Sequence, residues 1–172
     1  MANDRMTKTT ANMELRIVRA NYGNPDHAAA LVELLDAYAR DPAGGGKPLA
    51  AFARANLVSA LARRPQAFSV LAFRGEAAVG LVNCIEGFST FACRALVNVH
   101  DVAVLASHRG QGVAPAMLAL VEQIARERGA CKLTLEVLAG NTSANRLYQN
   151  LGFQSYQLDP AMGQAQFLQK WL

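Results

Sequence analysis

The chain has no run of about eighteen apolar residues, which excludes a membrane-spanning helix. Its polar opening, Met1 to Met13, also lacks the apolar block of a signal peptide. We read that opening as a frayed leader, and the lack of an export signal points to the cytoplasm. Cysteine is scarce: Cys84, Cys93 and Cys131 form no CxxC pair, and with only 3 histidines no metal site is expected, so the thiols read as free and packed. Charge is sparse as well. Charged residues make up 17% of the chain and the formal net charge is +4, with Lys and Arg scattered. That is not the dense basic stripe of a nucleic-acid binder, although it weakly favours an anionic ligand. What is present is an apolar-rich sequence, 52% hydrophobic over 172 residues, enough for a substantial core and too apolar for disorder.

Two periodicities alternate along it. Glu14 to Ala20 alternates polar and apolar residues as a half-buried strand does. Asn24-Pro25 then provides a cap and a proline at the first helical position, and Leu31, Leu34, Leu35 and Tyr38 follow at helical spacing until Asp41-Pro42. A glycine-rich loop, Gly44 to Gly46, leads to a second helix from about Leu49 to Ala62. Gln66 to Phe73 and Ala77 to Gly87 read as strands joined by a short turn, and Ala95 to Leu105 as another. Gly112 to Arg128 is an amphipathic helix stopped by Gly129. Lys132 to Leu138 is a strand and Ser143 to Asn150 a short helix. Two last strands, Phe153 to Leu158 and Gln164 to Trp171, are expected to pair through Pro160 and Gly163. No linker or repeat interrupts the order, so residues 14–172 are expected to form a single α/β domain with a mixed sheet.

The most informative stretch is Val102 to Leu118, where a buried strand stops, a polar turn follows, and a helix begins within Arg109-Gly110-Gln111-Gly112-Val113-Ala114. A helix start exposes amide protons and partial positive charge, glycines let an anion approach the backbone, and Arg109 adds a fixed cation. This is an anion cradle of unspecified ligand. A dinucleotide fingerprint fails because Pro115 stands where the third glycine belongs and the strand comes late. A nucleotide P-loop fails because Gly46-Lys47 is followed by Pro48 and has Asp41 at the first glycine position. A glycine turn that merely lets strand and helix pack is the remaining alternative.

A second pattern lies downstream. Arg109, Gly112 and Ala114 fit a motif of Arg or Gln, two residues, Gly, one residue, Gly or Ala. Asn141, Ala144, Leu147, Tyr148, Gly152 and Phe153 fit Asn, two residues, Ala, two residues, Leu-Tyr, three residues, Gly-Phe. In these two motifs and their order, the chain resembles the GNAT family of N-acetyltransferases over nearly everything after Met13. The resemblance implies an α/β (α+β) acyl-CoA N-acyltransferase fold, with a mixed, mostly antiparallel sheet of about seven strands and helices on both faces. It also implies acetyl-CoA as cosubstrate and acetyl transfer to a primary amine, with no metal.

In that family acetyl-CoA lies where two parallel strands splay, here Ala95 to Leu105 and Lys132 to Leu138. By resemblance the backbone of Val102, Ala103 and Val104 would meet the pantetheine arm. Amides from Gly110, Gln111, Gly112, Val113 and Ala114, with Arg109, would hold the diphosphate, and Asn141 would contact the cofactor from the other side. Pro115 departs from the common pattern and cannot donate. Tyr148 would be the general acid toward the leaving thiolate. Glu136 stands where a subgroup acetylating protein N-termini carries its catalytic glutamate, with Glu86 and Asp101 as rivals for base or substrate carboxylate. His100 reads as structural or as a substrate contact, and His108 as packing near the phosphates. Asp36, Glu86, Asp101 and Glu136 together favour a cationic acceptor, a small molecule or a peptide. A non-catalytic acyl-CoA-binding sensor on the same scaffold is the alternative. Phe167, Leu168 and Trp171 are candidates for a homodimer surface or, equally, for the core.

Overall fold

The structure, a computed structural model, describes residues 14–171 apart from 158, 160 and 162. The expected leader therefore lies outside the described residues, as does Pro160 of the expected final turn. The chain divides into two compact units, one up to Leu135 and one from Glu136 onward.

The first unit carries one five-stranded sheet in the order β1-β2-β3-β4-β5, formed by β1 (Leu15–Arg19), β2 (Ala67–Arg74), β3 (Ala77–Ser89), β4 (Arg94–Val104) and β5 (Leu133–Leu135). Neighbours are antiparallel except β4 and β5, which run parallel. The strand β2 is buried over all but its last residue, as its nearly unbroken apolar sequence requires of a central strand. Three helices belong to this unit: α1 (Pro25–Arg40), α2 (Ala51–Ala62) and α3 (Val113–Glu127). Asn24 caps α1 by accepting from the amides of Asp26 and His27 at 2.8 and 3.2 Å, and Pro25 opens the helix as expected. α2 begins at Ala51, two residues later than expected, and the Leu49 amide just before it donates to Asp36 Oδ1 at 2.9 Å.

The two faces of the sheet are covered by different helices. Ala30, Leu31 and Leu34 of α1 form one cluster with Leu71, Phe73, Leu81 and Ala103, and Leu57, Val58 and Leu61 of α2 pack beside it. Gly80, adjacent to Leu81, faces the other way: a Cβ there would stand 2.8 Å from the Met117 Cε and 3.0 Å from the Val113 Cγ1 of α3. Successive strand residues point to opposite faces, so α1 and α3 sandwich the sheet. The missing side chain at Gly80 is what lets α3 come this close.

The second unit contains α4 (Thr142–Asn150), capped by Asn141 and closed by Gly152 with φ +86°. Two expectations change here. The strand expected to reach Leu138 ends at Leu135, and residues 136–140 are exposed. Among the described residues after Phe153 no strand forms, although the Ala165 amide donates to Tyr156 O at 3.1 Å. Tyr156, Phe167, Leu168 and Trp171 are exposed, and a two-stranded ribbon with neither face covered gains too little burial to persist as a regular ladder. Five strands are therefore described where about seven were expected from the segment count.

Candidate functional site

The register between β4 and β5 covers Val97–Leu133, Asn98–Thr134 and Val99–Leu135. β4 continues for five more residues, to Val104, so the parallel pair parts at Val99. On its other edge β4 stays paired to β3 as far as Gly80–Val104. Leu105 N–H donates to Val79 O at 3.0 Å. Antiparallel alternation then aims the amides of Leu105 and Ala103 at β3, and the backbone groups of Val102 and Val104 at the open edge. The carbonyl of Val104 is reached there by the Arg109 Nε at 3.1 Å.

The register between β3 and β4 shifts by one residue: Asn83 pairs Asp101, but Cys84 pairs Val99. His100 is thus the extra residue of a β-bulge, exposed, with its Nδ1 3.3 Å from Asn98 Oδ1. The bulge sets Asp101 opposite Asn83, whose Nδ2 donates to Asp101 Oδ2 at 2.9 Å.

Beyond β4 the chain makes a short 3-10 turn, Ala106–His108, and then the glycine turn. Gly110 and Gly112 have φ of +72° and +77°, a region that a side chain makes costly. Gly112 is the N-cap of α3 and supplies no capping side chain. Among the described residues no backbone acceptor takes the amides of Gly110, Gln111 or Gly112, while the Gln111 side chain pins the turn by donating to Ser107 O at 2.9 Å. Unclaimed amides at a helix start, with bare glycines around them, fit a diphosphate. Val113 is buried at the base of the turn and Ala114 half-buried. Arg109 points elsewhere, its NH2 group meeting Asp41 Oδ2 at 2.8 Å just after α1. His108 is buried against Ser107 Oγ at 3.0 Å. Burial, and then the charge of Arg74, hold its imidazole below the usual histidine value, so it is neutral at pH 7.

The other carboxylates are engaged. Glu86 Oε2 is ion-paired to Arg128 at 2.8 Å, and that guanidinium stacks on Phe68. Asp36 binds Arg40, Arg54 and the Leu49 amide, joining α1 to α2, and hydrogen bonding from Arg40 holds its carboxyl below the ordinary range. In the second unit, Glu136 is exposed, Asn141 Oδ1 accepts from the Ala144 amide at 3.2 Å, and Asn145 Nδ2 donates to Leu138 O at 3.0 Å and Asn141 O at 2.8 Å. Tyr148 is buried on α4, with its ring edge-on to Phe153 at 5.8 Å. Among the described residues no three His, Cys, Asp or Glu side chains gather as metal ligands.

Sequence reading overlooked one part of this region. Ser69 and Asn83 lie buried behind Asp101, with Ser69 Oγ donating to Asn83 Oδ1 at 2.6 Å and Tyr22 OH 2.9 Å from Ser69 Oγ. The signal was available: each is a polar residue inside an otherwise apolar strand.

Known proteins resemble this chain in sequence and in fold. The profile of the acetyltransferase (GNAT) family matches residues 28–153. The streptothricin acetyltransferase of Streptomyces lavendulae is 34% identical over 90 residues, 51% of this chain and 48% of that protein. The uncharacterized N-acetyltransferase YycN of Bacillus subtilis (strain 168) is 41% identical over 56 residues, 33% of this chain and 36% of that protein. The chain therefore spans less than half the length of these relatives. Among solved structures, a ribosomal-protein-alanine N-acetyltransferase from Brucella melitensis biovar Abortus 2308 superposes with a TM-score of 0.71 at 18% identity, covering 92% of this chain and 100% of that one. An aminoglycoside acetyltransferase from an uncultured soil metagenomic sample, in complex with sisomicin, superposes with a TM-score of 0.73 at 14% identity, covering 92% and 97%. At these identities the structures speak for the fold. With the profile covering most of the chain, the protein belongs to the GNAT acetyltransferase family.

Proposed function

We propose that the chain is an N-acetyltransferase that moves an acetyl group from acetyl-CoA to a primary amine, by direct attack of the amine within a ternary complex. The observation that carries this reading is the pairing of two features on one strand: β4 leaves β5 at Val99, and six residues after β4 ends its continuation presents unclaimed amides from Gly110 to Gly112. The open edge of Val102, Ala103 and Val104 is the length of backbone along which an amide-rich pantetheine arm would lie. The glycine turn, with Val113 and Ala114 at the helix start, would hold the diphosphate. Bound there, acetyl-CoA supplies the activated acyl carbon.

The chain's own groups have the following roles in this reading. Arg109 exchanges Asp41 for the diphosphate. Asn141 retains its amide nitrogen for the donor while its oxygen caps α4. A leaving thiolate of ordinary pKa about 8.5 needs a proton, and a phenol of ordinary pKa about 10 remains protonated at neutral pH, so Tyr148 is the general acid. Glu136, which is exposed, takes the proton of the incoming ammonium, directly or through water. Glu86 is less suited to that task because Arg128 holds it. His100 and Asp101 border the open edge and are assigned to the acceptor. The Asp101 carboxylate there favours a cationic amine, and one relative is named as a streptothricin acetyltransferase.

The reading is tested by titrating CoA into the protein and by following release of CoA thiol from acetyl-CoA with spermidine, kanamycin, streptothricin and an alanine-terminated peptide. Binding of CoA with turnover of at least one amine, and loss of turnover but not of binding in Tyr148→Phe, is the expected pattern. CoA binding with no turnover by any amine would instead favour the acyl-CoA-binding module. No binding at all would remove both.

A further inference from the structure

A buried polar row crosses the sheet. Ser69 on β2 pairs with Asn83 on β3, and Asn83 pairs with Asp101 on β4, so the three side chains stand opposite one another on the face covered by α1. Ser69 and Asn83 are buried, which is costly for polar groups unless every partner is matched. The chemistry fixes the direction of each bond. An ionised Asp101 can only accept, so the Asn83 amide nitrogen must face it and the Asn83 oxygen must face Ser69. Ser69 has one hydroxyl proton and gives it to Asn83, so the 2.9 Å contact with Tyr22 has the phenol as donor. Burial, outweighing the Ser69 hydrogen bond, raises the Tyr22 phenol above its ordinary value and keeps it a donor. The row therefore runs one way, from Tyr22 through Ser69 and Asn83, and it ends on a carboxylate.

That carboxylate lies on the part of β4 that β5 has left. Only Asp101 Oδ2 is claimed by Asn83, and among the described residues Oδ1 accepts from none. Tyr38 on α1 registers the resulting field, its phenol raised by burial and then by the negative charges of Asp101 and Asp41.

We infer that Tyr22, Ser69 and Asn83 are positioning residues that hold one oxygen of Asp101, so that its other oxygen faces a cationic group of the acceptor at the open edge of β4. The inference rests on the transferase reading for the word acceptor, but the site it describes is a property of this row. It names the acceptor's class: an amine that carries a positive charge where Asp101 can reach it, a diamine or polycation rather than a neutral or acidic molecule.

The test uses the full chain, 15N-labelled, with 1,4-diaminobutane as probe and the amides of residues 98–104 as readout. Wild type should show saturable shifts that Asp101→Asn abolishes. Asn83→Leu, close in volume but without the donor, should weaken diamine binding about tenfold, and Tyr22→Phe about threefold. CoA titrated into the same samples should move the amides of Gly110 to Ala114 equally in all of them. A generally damaged fold would weaken CoA and diamine together, whereas a positioning effect touches only the diamine. If Asn83→Leu does not fold, Tyr22→Phe carries the comparison, since it removes a single oxygen from a half-buried ring. Diamine binding that is absent, or unchanged in the folded positioning variants, overturns the inference. A normal diamine pattern with no response to CoA would support the site and remove only the transferase reading.

Discussion

Arg109 in the glycine turn is bound to Asp41, which caps the turn after α1, at 2.8 Å. The glycine turn is thereby tied to the loop that precedes α2. Hydrogen bonding from Arg109 also holds the Asp41 carboxyl below its ordinary range. In the proposed reading a diphosphate takes Arg109 from this partner. Asp41→Asn should therefore tighten CoA binding about threefold, the scale of one solvent-exposed ion pair, and the gain should shrink at high salt. Arg109→Ala should weaken binding about tenfold, and adding Asp41→Asn to it should change nothing more. Calorimetric titration of the four proteins of this cycle checks the coupling.

Gly112 offers a sharper test of the turn itself. Its φ of +77° is strained for any side chain, although a Cβ would meet no atom within 4 Å. Gly112→Val should leave the melting temperature within a few degrees of wild type, about 1–2 kcal/mol of backbone strain, yet abolish measurable CoA binding. Gly80→Ala should do the reverse. Its Cβ would press on Met117 and Val113 in the core, destabilising the fold by about 1–3 kcal/mol, while any residual folded protein still binds CoA.

Asp36 gives the stability curve its acid limb. Its carboxyl titrates below the ordinary value in the folded state, so folding is favoured by its ionised form. That contribution is complete above the unfolded value of about 3.9, and it is lost as pH falls through the depressed folded value. The melting-temperature gap between wild type and Asp36→Asn should be widest at pH 7 and close in strong acid.

Thiol labelling should separate the cysteines. Burial pushes the Cys84 thiol up to about 12, so it should resist Ellman's reagent at pH 8 until the protein is unfolded. Cys93, exposed on the β3–β4 connection, should react at once in the native state.

Much of this was legible in the sequence because local rules and tertiary packing agreed. Asn24-Pro25 predicted the start of α1, and the apolar stripe of Val113, Met117, Leu120, Val121 and Ile124 predicted the buried face of α3 except at Leu120, which is half-buried while Leu118 is buried. The turn itself was legible for the same reason, since Gly110 and Gly112 mark a break after a buried strand and both adopt positive φ. The end of β5 was not, because Glu136 to Leu138 continue a strand-like pattern and nothing local records that the neighbouring strand has turned away. The closing segments misled for a related reason: Tyr156, Phe167 and Trp171 have strand propensity, but propensity does not supply a covered face. Nor could spacing alone show that Ser69, Asn83 and Asp101 stand in one row. That depends on cross-strand register, which a single residue at His100 resets.

That single residue governs how the chain can change in length. Replacing His100 changes the side chain at the bulge and leaves the register as it is. Deleting it would join Val99 to Asp101 and turn the bulged step into a regular ladder, in which Cys84 still faces Val99, Asn83 still faces Asp101, and Ala103 stays in the cluster under α1. A gap at position 100 would therefore keep the pairings of the core and take away only the bend and added twist that the bulge gives β4 beside the open edge.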